Sequence, residues 1–287
     1  MMSKGISFAR KEGRLLNALT VDVEDWFHLC AVGDYLPTDK WDEYESRVNK
    51  TTDRVLRLLD KYDAKVTFFV LGYVAEKNPE LVARVHSDGH EIATHGTFHQ
   101  RVLDMTPDEF REDLRRSVRI LEGITGERPI GYRAPEWTIV RETFWALDIL
   151  VEEGFLYDSS TVPLSCMGDR RLPAWPSRIS TPKGEIIEFP ASTMRCLWEH
   201  FPFTGGLPMR MSPYWFIVEG IKKANRIGYP AMVYTHPWEF DDRPPRLDIP
   251  LRRRFMRDYL MSSTPKKVES LLSRFAFAPL REVLGLV

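Results

Sequence analysis

Residues 94–99 read THGTFH and follow the apolar pair Ile92-Ala93. His95 and His99 stand four residues apart where the chain would leave a short strand, and two imidazoles at this spacing can face one point and hold a divalent ion. The same spacing also occurs on ordinary surface helices, so the pair alone is weak evidence for a metal site. The interpretation therefore depends on polar residues elsewhere in the chain.

Three further stretches carry the acids and the cation that a hydrolytic metal site needs besides histidines. They read TVDVED at residues 20–25, YRAP at residues 132–135 and VYTHPW at residues 233–238. The first of them ends an apolar run at residues 15–23, so its acids come at the carboxyl end of a predicted strand. In α/β proteins the loops that leave the carboxyl ends of strands form the open face, where active-site groups lie.

Strands and helices alternate along the predicted chain. Strands are predicted at residues 15–23, 65–71, 90–93, 155–158, 186–189 and 231–234. Helices are predicted after an N-cap at Thr51-Thr52-Asp53, at residues 79–85, from the Thr106 N-cap to Glu122, and at residues 141–153 and 213–227. Residues 163–182 hold four prolines and read as a loop. This order predicts a parallel α/β barrel with irregular insertions.

The composition is that of a soluble globular protein, and one domain covering residues 1–287 is the better prediction for this length. Forty basic and forty-one acidic side chains leave a net charge of -1, which gives no reason to expect a nucleic-acid partner. The three cysteines, Cys30, Cys166 and Cys196, form no close pair and predict neither a disulfide framework nor a thiolate zinc site.

The chain shows no segment expected to enter a membrane as a span. Its first 17 residues hold no apolar run long enough for a signal peptide, and no later run reaches the length of a spanning helix. We therefore expect a cytoplasmic protein. Residues 251–287 hold eight basic and three acidic side chains among apolar positions. They predict a C-terminal helix pair packed on the outside of the barrel, with a peripheral membrane-surface helix as the alternative.

Five ordered motifs resemble those of the NodB-type polysaccharide deacetylases, which form carbohydrate esterase family four. They lie at residues 20–25, 65–72 (KVTFFVLG), 89–99 (GHEIATHGTFH), 132–135 and 234–237 (YTHP). The similarity extends from about residue 18 to residue 238, and it is greatest to the bacterial exopolysaccharide subgroup with an Asp-Val-Glu-Asp first motif. It implies a distorted (β/α) barrel of the NodB type, with irregular insertions and a C-terminal helical tail.

The resemblance also implies a function, namely metal-dependent hydrolysis of an amide that frees an amine from an N-acetylated sugar and releases acetate. A divalent ion polarises the carbonyl while a carboxylate takes a proton from water and an acid protonates the departing amine. The roles that it implies are base for Asp22, orienting partner of Asp22 for Arg133, metal ligands for His95 and His99, and general acid for His236. Zinc is the expected ion.

Other assignments follow from the same resemblance. The backbone N–H of Glu136 would stabilise the oxyanion, and Asp158 would orient the catalytic histidine. Trp137 and Trp238 would either stack on sugar rings or belong to the core.

The first motif departs from the usual family pattern because Val23 follows Asp22. The carboxylate ligand is therefore Glu24 or Asp25. Period-two alternation in a strand favours Glu24, since it places Glu24 on the same face as Asp22. If neither binds metal, the protein would be inactive.

Two classes of function remain open from the sequence. The first is a deacetylase of an N-acetylhexosamine unit, presented as a sugar nucleotide, a lipid-linked sugar or an oligosaccharide, with hydrolysis of a cyclic imide or ureide as the alternative chemistry. The second is a carbohydrate-binding barrel without activity, which the altered first motif would favour. Metal content distinguishes the two classes.

Overall fold

The computed structural model describes residues 5–165, 168–196 and 199–286, with the backbone alone for Cys30, Ala31 and Cys196. Cys166 lies outside the described residues, and so do the other two cysteine side chains. Among the described residues, no helix is both long enough and apolar enough to cross a bilayer.

Strands β1 to β13 span, in chain order, Arg10–Lys11, Arg14–Leu15, Asn17–Val23, Thr67–Val70, Glu91–Thr94, Gly131–Tyr132, Tyr157–Asp158, Ser177–Thr181, Gly184–Glu188, Thr193–Cys196, Glu199–Pro202, Met232–Thr235 and Phe277–Ala278. Helices α1 to α10 span Val48–Lys61, Gly72–Lys77, Pro79–Ser87, Pro107–Thr125, Trp145–Glu152, Gly206–Met211, Tyr214–Arg226, Leu251–Asp258, Ser263–Leu272 and Leu280–Val283. Short 3-10 helices lie at Cys30–Tyr35, Thr38–Glu43, Val102–Asp104, Pro135–Trp137, Arg141–Thr143 and Pro237–Phe240.

The main sheet has the strand order β12-β3-β4-β5-β6-β7-β9-β8, with β13 paired to β3. Its neighbours run parallel except for β8 and β9, which form an antiparallel hairpin. Strands β9 and β12 are not paired with each other through their backbones. A side chain joins the segment after β9 to β12, where the Met232 N–H donates to Ser192 Oγ at 2.7 Å. The prediction of a distorted (β/α) barrel is confirmed, and the carboxyl ends of the parallel strands meet at one edge.

Helix α1 begins earlier than the sequence predicted. The predicted cap at Thr51-Thr52-Asp53 is wrong, since the helix starts at Val48. The Thr51 hydroxyl lies inside the helix and donates to the Arg47 carbonyl at 2.9 Å. The cap comes from Asp25, which is remote in sequence and accepts from the backbone N–H groups of Arg47 and Val48 at 2.8 and 3.1 Å. Local sequence could not reveal this cap because it is a tertiary contact.

The region predicted as irregular contains two hairpins. The segment at residues 163–182 includes strand β8, which pairs with β9 through the turn before Gly184. Strands β10 and β11 also pair antiparallel further along the chain. No side chain of β8 or β11 is fully buried, and each strand has few apolar residues, so the sequence carries little period-two hydrophobic signal.

The C-terminal tail contributes to the barrel itself. Strand β13 extends the sheet beside β3, and the side chains of Leu280 and Val283 on α10 are fully buried. Helix α9 likewise buries Val268 and Leu271. The predicted pair of helices on the barrel exterior is therefore incomplete, because a strand of the tail enters the sheet. Helix α8 differs from the rest of the tail in exposing half of its side chains.

Candidate active site

Buried polar side chains gather at the carboxyl edge of the parallel strands. Strand β3 brings Asp22 and Glu24, and strand β5 leads into the histidine pair. Strand β6 leads into Arg133 and strand β12 into His236. Because β12, β3, β4 and β5 are consecutive neighbours in the sheet, residues distant in sequence meet here.

Glu24, His95 and His99 form a group with ligand atoms within 4.8 Å of one another. Glu24 Oε1 lies 3.2 Å from His95 Nε2 and 3.0 Å from His99 Nε2. His95 Nδ1 lies 2.8 Å from the Arg133 carbonyl oxygen, which can only accept, so Nδ1 carries the proton of the neutral ring. The Nε2 lone pair then faces a carboxylate oxygen, and this repulsive arrangement is relieved by a cation between them. The donor set therefore fits a divalent ion.

Charge in the group favours an ionised carboxylate. Burial raises the pKa of Glu24, but His99 and His236 more than offset it and hold that pKa well below its usual range. An ionised carboxylate with two imidazole nitrogens is a donor set that zinc accepts, with positions left open for other ligands.

Asp25, the other candidate ligand, lies outside this group. Its Oδ2 accepts from the Ser46 hydroxyl at 2.7 Å and from the N–H groups of Arg47 and Val48. Its Oδ1 accepts from the Trp26 N–H at 2.9 Å. Both oxygens of Asp25 are thus engaged, Oδ2 at the start of α1 and Oδ1 at the Trp26 N–H, and the geometry favours Glu24 as the ligand.

Arg133 connects the strands across the barrel interior. Its side chain is 1% exposed, and Nη1 donates to Asp22 Oδ1 at 2.5 Å and to Thr20 Oγ1 at 2.8 Å. Nε and Nη2 donate to the backbone oxygen and the hydroxyl of Ser159, and Nη2 lies 2.8 Å from Met232 Sδ. The guanidinium therefore fixes Asp22 through one oxygen and leaves Oδ2 directed at the site.

His236 lies on the other side of Asp22, with Nε2 at 3.9 Å from Asp22 Oδ2. Its Nδ1 lies 3.3 Å from Glu239 Oε2, and the Trp238 ring stacks on it at 5.1 Å. Burial lowers the pKa of His236, but Glu24, Glu239 and Asp22 raise it to about 8. The imidazole is consequently protonated at neutral pH and can donate a proton from Nε2.

The sequence prediction for the partner of this histidine is wrong. Asp158 is fully buried at the end of β7, which four strands separate from β12 in the sheet order, and it accepts from the Ser160 hydroxyl. Burial raises the pKa of Asp158 to about 6 and that of Glu188 well above its usual range, so the two carboxyls share a proton. Glu239 takes the orienting role instead. The sequence did contain an indication of this pairing. Glu239 stands three residues after His236, at the position where an acidic side chain in the first turn of a helix accepts a hydrogen bond from the residue that precedes the helix.

Arg210 is a further residue that sequence reasoning missed. It is buried, and its Nε forms an ion pair with Glu239 Oε1 at 3.3 Å. Its Nη atoms donate to the carbonyl oxygens of Met256, Arg257 and Tyr259 at the end of α8. No local sequence motif predicts this role for Arg210, because all its partners come from other segments of the chain.

The turn after Arg133 has an unusual backbone. Glu136 and Trp137 both have positive φ angles, 54° and 58°, which cost roughly 1–3 kcal/mol each and persist where the surroundings enforce them. Trp137 packs against Tyr234 and over the Arg133 guanidinium, while Glu136 is exposed. Trp137 and Trp238 are both largely buried, and one face of Trp238 is covered by His236.

Two depressions border the candidate site and share His99, Glu136 and Met256 in their walls. One is a cavity of about 350 Å³ with apolar walls that include Trp137, Val162, Leu164, Leu207 and Met256. The other is a groove of about 640 Å³ lined by aromatic and polar side chains, among them Phe27, Trp41, Phe98, Asp34, Gln100 and Arg101. Aromatic rings beside hydrogen-bonding groups suit a sugar ring.

Comparison with known proteins identifies two matching family profiles. Residues 38–149 match the polysaccharide deacetylase profile, and residues 159–285 match a domain of unknown function, DUF3473. The peptidoglycan deacetylase-like protein FGM2 of Gibberella zeae is 35% identical over 109 residues, which are 37% of this chain and 31% of that protein. The peptidoglycan deacetylase of Helicobacter pylori is 34% identical over 107 residues, 37% of this chain and 36% of that protein. The chain spans about a third of the length of these relatives.

A similar fold is found in a crystal structure from Mycobacterium smegmatis whose name assigns it to the polysaccharide deacetylases. It aligns with a TM-score of 0.65 and 23% identity, and covers 99% of this chain and 94% of that one. The alignment extends over nearly the whole of both chains, so the two proteins share the fold.

Proposed function

The chain belongs to the NodB-type polysaccharide deacetylase family, and on that basis we propose that it is a metal-dependent hydrolase that removes an N-acetyl group from an amino-sugar unit of a glycan or glycan precursor. The main support for the proposal is that the candidate metal ligands, the candidate base and the candidate general acid lie side by side. Glu24 faces two imidazole nitrogens, and beside this group Asp22 Oδ2 and His236 Nε2 lie 3.9 Å apart.

Glu24, His95 and His99 would hold the ion, for which zinc is the first candidate. A bound divalent ion supplies polarisation of the amide carbonyl and activation of water. The Arg133 carbonyl orients His95 by accepting the Nδ1 proton, so the ring presents the correct nitrogen.

The protein side chains account for the proton transfers. Asp22 accepts a proton from the water that attacks the carbonyl carbon, while Arg133 holds its other oxygen. The C–N bond then breaks, and His236 gives its Nε2 proton to the departing nitrogen. Glu239 stabilises the charged imidazole through Nδ1 before this transfer. The products are the free amine and acetate.

The two depressions support a carbohydrate substrate. The groove beside His99 offers aromatic rings and polar groups to a sugar, whereas the apolar cavity accepts the acyl group or an apolar neighbour. We propose a sugar nucleotide, a lipid-linked sugar or an oligosaccharide as the carrier of the N-acetylated unit.

The test measures amine and acetate release from a panel of N-acetylated sugar nucleotides, lipid-linked sugars and oligosaccharides. The protein is assayed after chelation and after addition of zinc or cobalt. Release should require metal and should be lost in His95→Ala. The matched control is His86→Ala, which removes a surface histidine paired with Glu127.

Each other outcome has a defined meaning. Amine release that is equally fast after chelation would contradict metal dependence. A metal-loaded protein that binds sugars but releases no amine from the whole panel would be a binding barrel without activity. Hydrolysis of a cyclic imide or ureide in place of the linear amides would assign the alternative C–N chemistry.

A further inference from the structure

Helix α8 carries an exposed apolar ridge. Leu251, Phe255 and Tyr259 follow one another at intervals of four residues and are 79%, 47% and 39% exposed. The Tyr259 N–H donates to the Phe255 carbonyl at 3.0 Å, so the helical turn continues to this residue. The rings of Phe255 and Tyr259 lie 4.4 Å apart, and Leu260, the next residue in the chain, is 47% exposed. Leu251, Phe255 and Tyr259 thus form one ridge, which Leu260 follows in the chain.

Arginines flank this ridge on both sides. At 3.6 residues per turn, Arg252 and Arg254 project roughly 80° from the midline of Leu251 and Phe255, one on each side. Both are exposed. The opposite side of α8 faces the protein, where Met256 lines the apolar cavity and Arg257 is buried. We call the exposed side, formed by Leu251, Arg252, Arg254, Phe255, Tyr259 and Leu260, the outer face of α8.

The outer face is held in place from behind. Arg210 donates to the carbonyl oxygens of Met256, Arg257 and Tyr259, and Arg253 Nη2 lies 4.0 Å from Asp34 Oδ2. Because these contacts fix the inner side, the outer face cannot turn inward to bury its apolar ridge. Its exposure is therefore a property of the folded protein.

We infer that the outer face of α8 binds an anionic membrane surface. An apolar ridge between arginines is the arrangement of a helix that lies in the lipid interface, where the apolar side chains enter the acyl boundary and the guanidinium groups reach the phosphates. Each arginine near such a surface contributes about 1 kcal/mol. The whole chain has a net charge of -1, so the attraction is local to this face.

A second copy of the chain fits the face less well. In a symmetric pair each copy presents the same patch, so Arg252 and Arg254 would approach their own equivalents. Four partly exposed side chains also provide much less than the roughly 800 Å² per partner that a stable interface buries. Charge complementarity therefore favours lipid phosphates.

The position of α8 relates this surface to the active site. Met256 and Arg257 belong both to α8 and to the lining of the catalytic cavity. Membrane contact would place that cavity next to the lipid surface and favour a lipid-linked amino sugar among the proposed substrates. The preference for a lipid-linked amino sugar rests on the proposed function, whereas membrane binding does not.

The test is co-sedimentation of the full chain with vesicles of phosphatidylcholine, with and without phosphatidylglycerol, in the presence of a chelator and without substrate. The wild type should bind only the anionic vesicles, and less at high salt. Arg252→Glu/Arg254→Glu should weaken binding by more than about tenfold. Leu251→Ser/Phe255→Ser should also weaken it, because the inserted area is lost.

The control variants change the same chemistry elsewhere. Arg119→Glu/Arg226→Glu reverses two exposed charges on other helices, and Trp215→Ser removes an aromatic side chain that is 66% exposed. Both should bind like the wild type. Absence of wild-type binding, equal binding to phosphatidylcholine alone, or an equal loss in the control variants would overturn the inference. Self-association that Phe255→Ser abolishes, without vesicle binding, would assign the face to a second copy.

Because the assay contains neither substrate nor metal, its outcome is independent of the deacetylation assay. Failure of vesicle binding would leave the proposed activity intact. Failure of deacetylation would leave vesicle binding intact.

Discussion

Glu24 and Asp25 are neighbouring carboxylates with different surroundings. Strand β3 ends at Val23, and the Glu24 N–H then donates to the Asp22 carbonyl at 2.9 Å, which closes a three-residue turn. The turn directs Glu24 toward the histidines and Asp25 toward the start of α1. Alternation along a strand predicted the same residue, but the turn rather than the pleat sets its direction.

The three carboxylates of the first motif should respond differently to loss of charge. Glu24→Gln should weaken metal binding by at least about a hundredfold. Loss of a residue that only hydrogen-bonds to a metal ligand already lowers metal affinity by roughly 10- to 100-fold, and loss of the ligand itself should cost more. Asp22→Asn should keep the metal and slow turnover by roughly 10²- to 10⁴-fold. Asp25→Asn should keep both and lower the free energy of unfolding by about 1 kcal/mol, since it weakens a helix cap. Metal titration, kinetics and denaturation separate the three.

If Asp25→Asn lost the metal while Glu24→Gln retained it, the assignment of the carboxylate ligand would be reversed. Asp169→Asn is a suitable control, because Asp169 pairs with Arg171 away from the site.

The charge of His236 gives a prediction about pH. In the metal-free protein its pKa is raised to about 8, so the acid form predominates below that pH and is lost above it. Zinc should lower this pKa, because an ion neutralises the Glu24 carboxylate that helps to raise it. Glu239→Gln should lower it as well, and should move the alkaline limb of the activity profile to lower pH. Proton NMR of the ring measures the first two shifts.

A His236 pKa that Glu239→Gln leaves unchanged would remove Glu239 from the role proposed for it. Glu188→Gln serves as the matched control, because this buried acid pairs with Asp158.

At the scale of elements, Arg210 joins helix α6 to the end of α8 and to the short helix that holds Glu239. Arg210→Met would leave the buried Glu239 carboxylate with His236 as its remaining cation, and it would leave three carbonyl oxygens without their donor. The free energy of unfolding should fall by about 3–5 kcal/mol. Arg210→Lys keeps the charge but cannot reach all the carbonyls, so a smaller loss is expected. Chemical denaturation measures both, with the exposed Arg119→Met as control.

Stability of Arg210→Met equal to that of the control would show that the ion pair contributes nothing. Turnover adds a second measurement. If Arg210 positions Glu239, the Lys variant should retain more of kcat than the Met variant, with KM little changed in either.

The elements differ in how far the sequence predicts them. The cap of α4 is local, and Thr106 and Glu109 form the predicted reciprocal hydrogen bonds. The start of α1 depends on Asp25, and the partner of His236 depends on a turn rather than on the acid at the end of β7. These were mispredicted because the deciding contacts join distant residues. The gathering of Asp22, Glu24, His95, Arg133 and His236 was predictable, since ends of neighbouring parallel strands converge.

At the scale of the whole molecule, the tail strand is part of the barrel. The Asn17 N–H donates to the Ala276 carbonyl, and the Leu280 N–H donates to Thr67 Oγ1 at 2.7 Å. Removing residues 276–287 would expose buried Leu280 and Val283 and break these bonds. Each such side chain contributes about 1.5–3 kcal/mol, against a total stability of roughly 5–15 kcal/mol.

The truncated chain should therefore fail to fold cooperatively, as judged by near-ultraviolet circular dichroism and thermal melting. Removing residues 286–287 alone should have little effect. A stable, cooperative fold in the longer truncation would show that the tail only rests on the barrel.

The proposed catalytic groups are divided between the two matched segments. His95, His99 and Arg133 lie within residues 38–149, His236 and Glu239 lie within residues 159–285, and strand β3 with Asp22 and Glu24 precedes both. A chain without the first segment would lack the histidine pair, and a chain without the second would lack the proposed general acid. Neither segment by itself therefore contains the whole proposed site, and an excised segment should show no amine release.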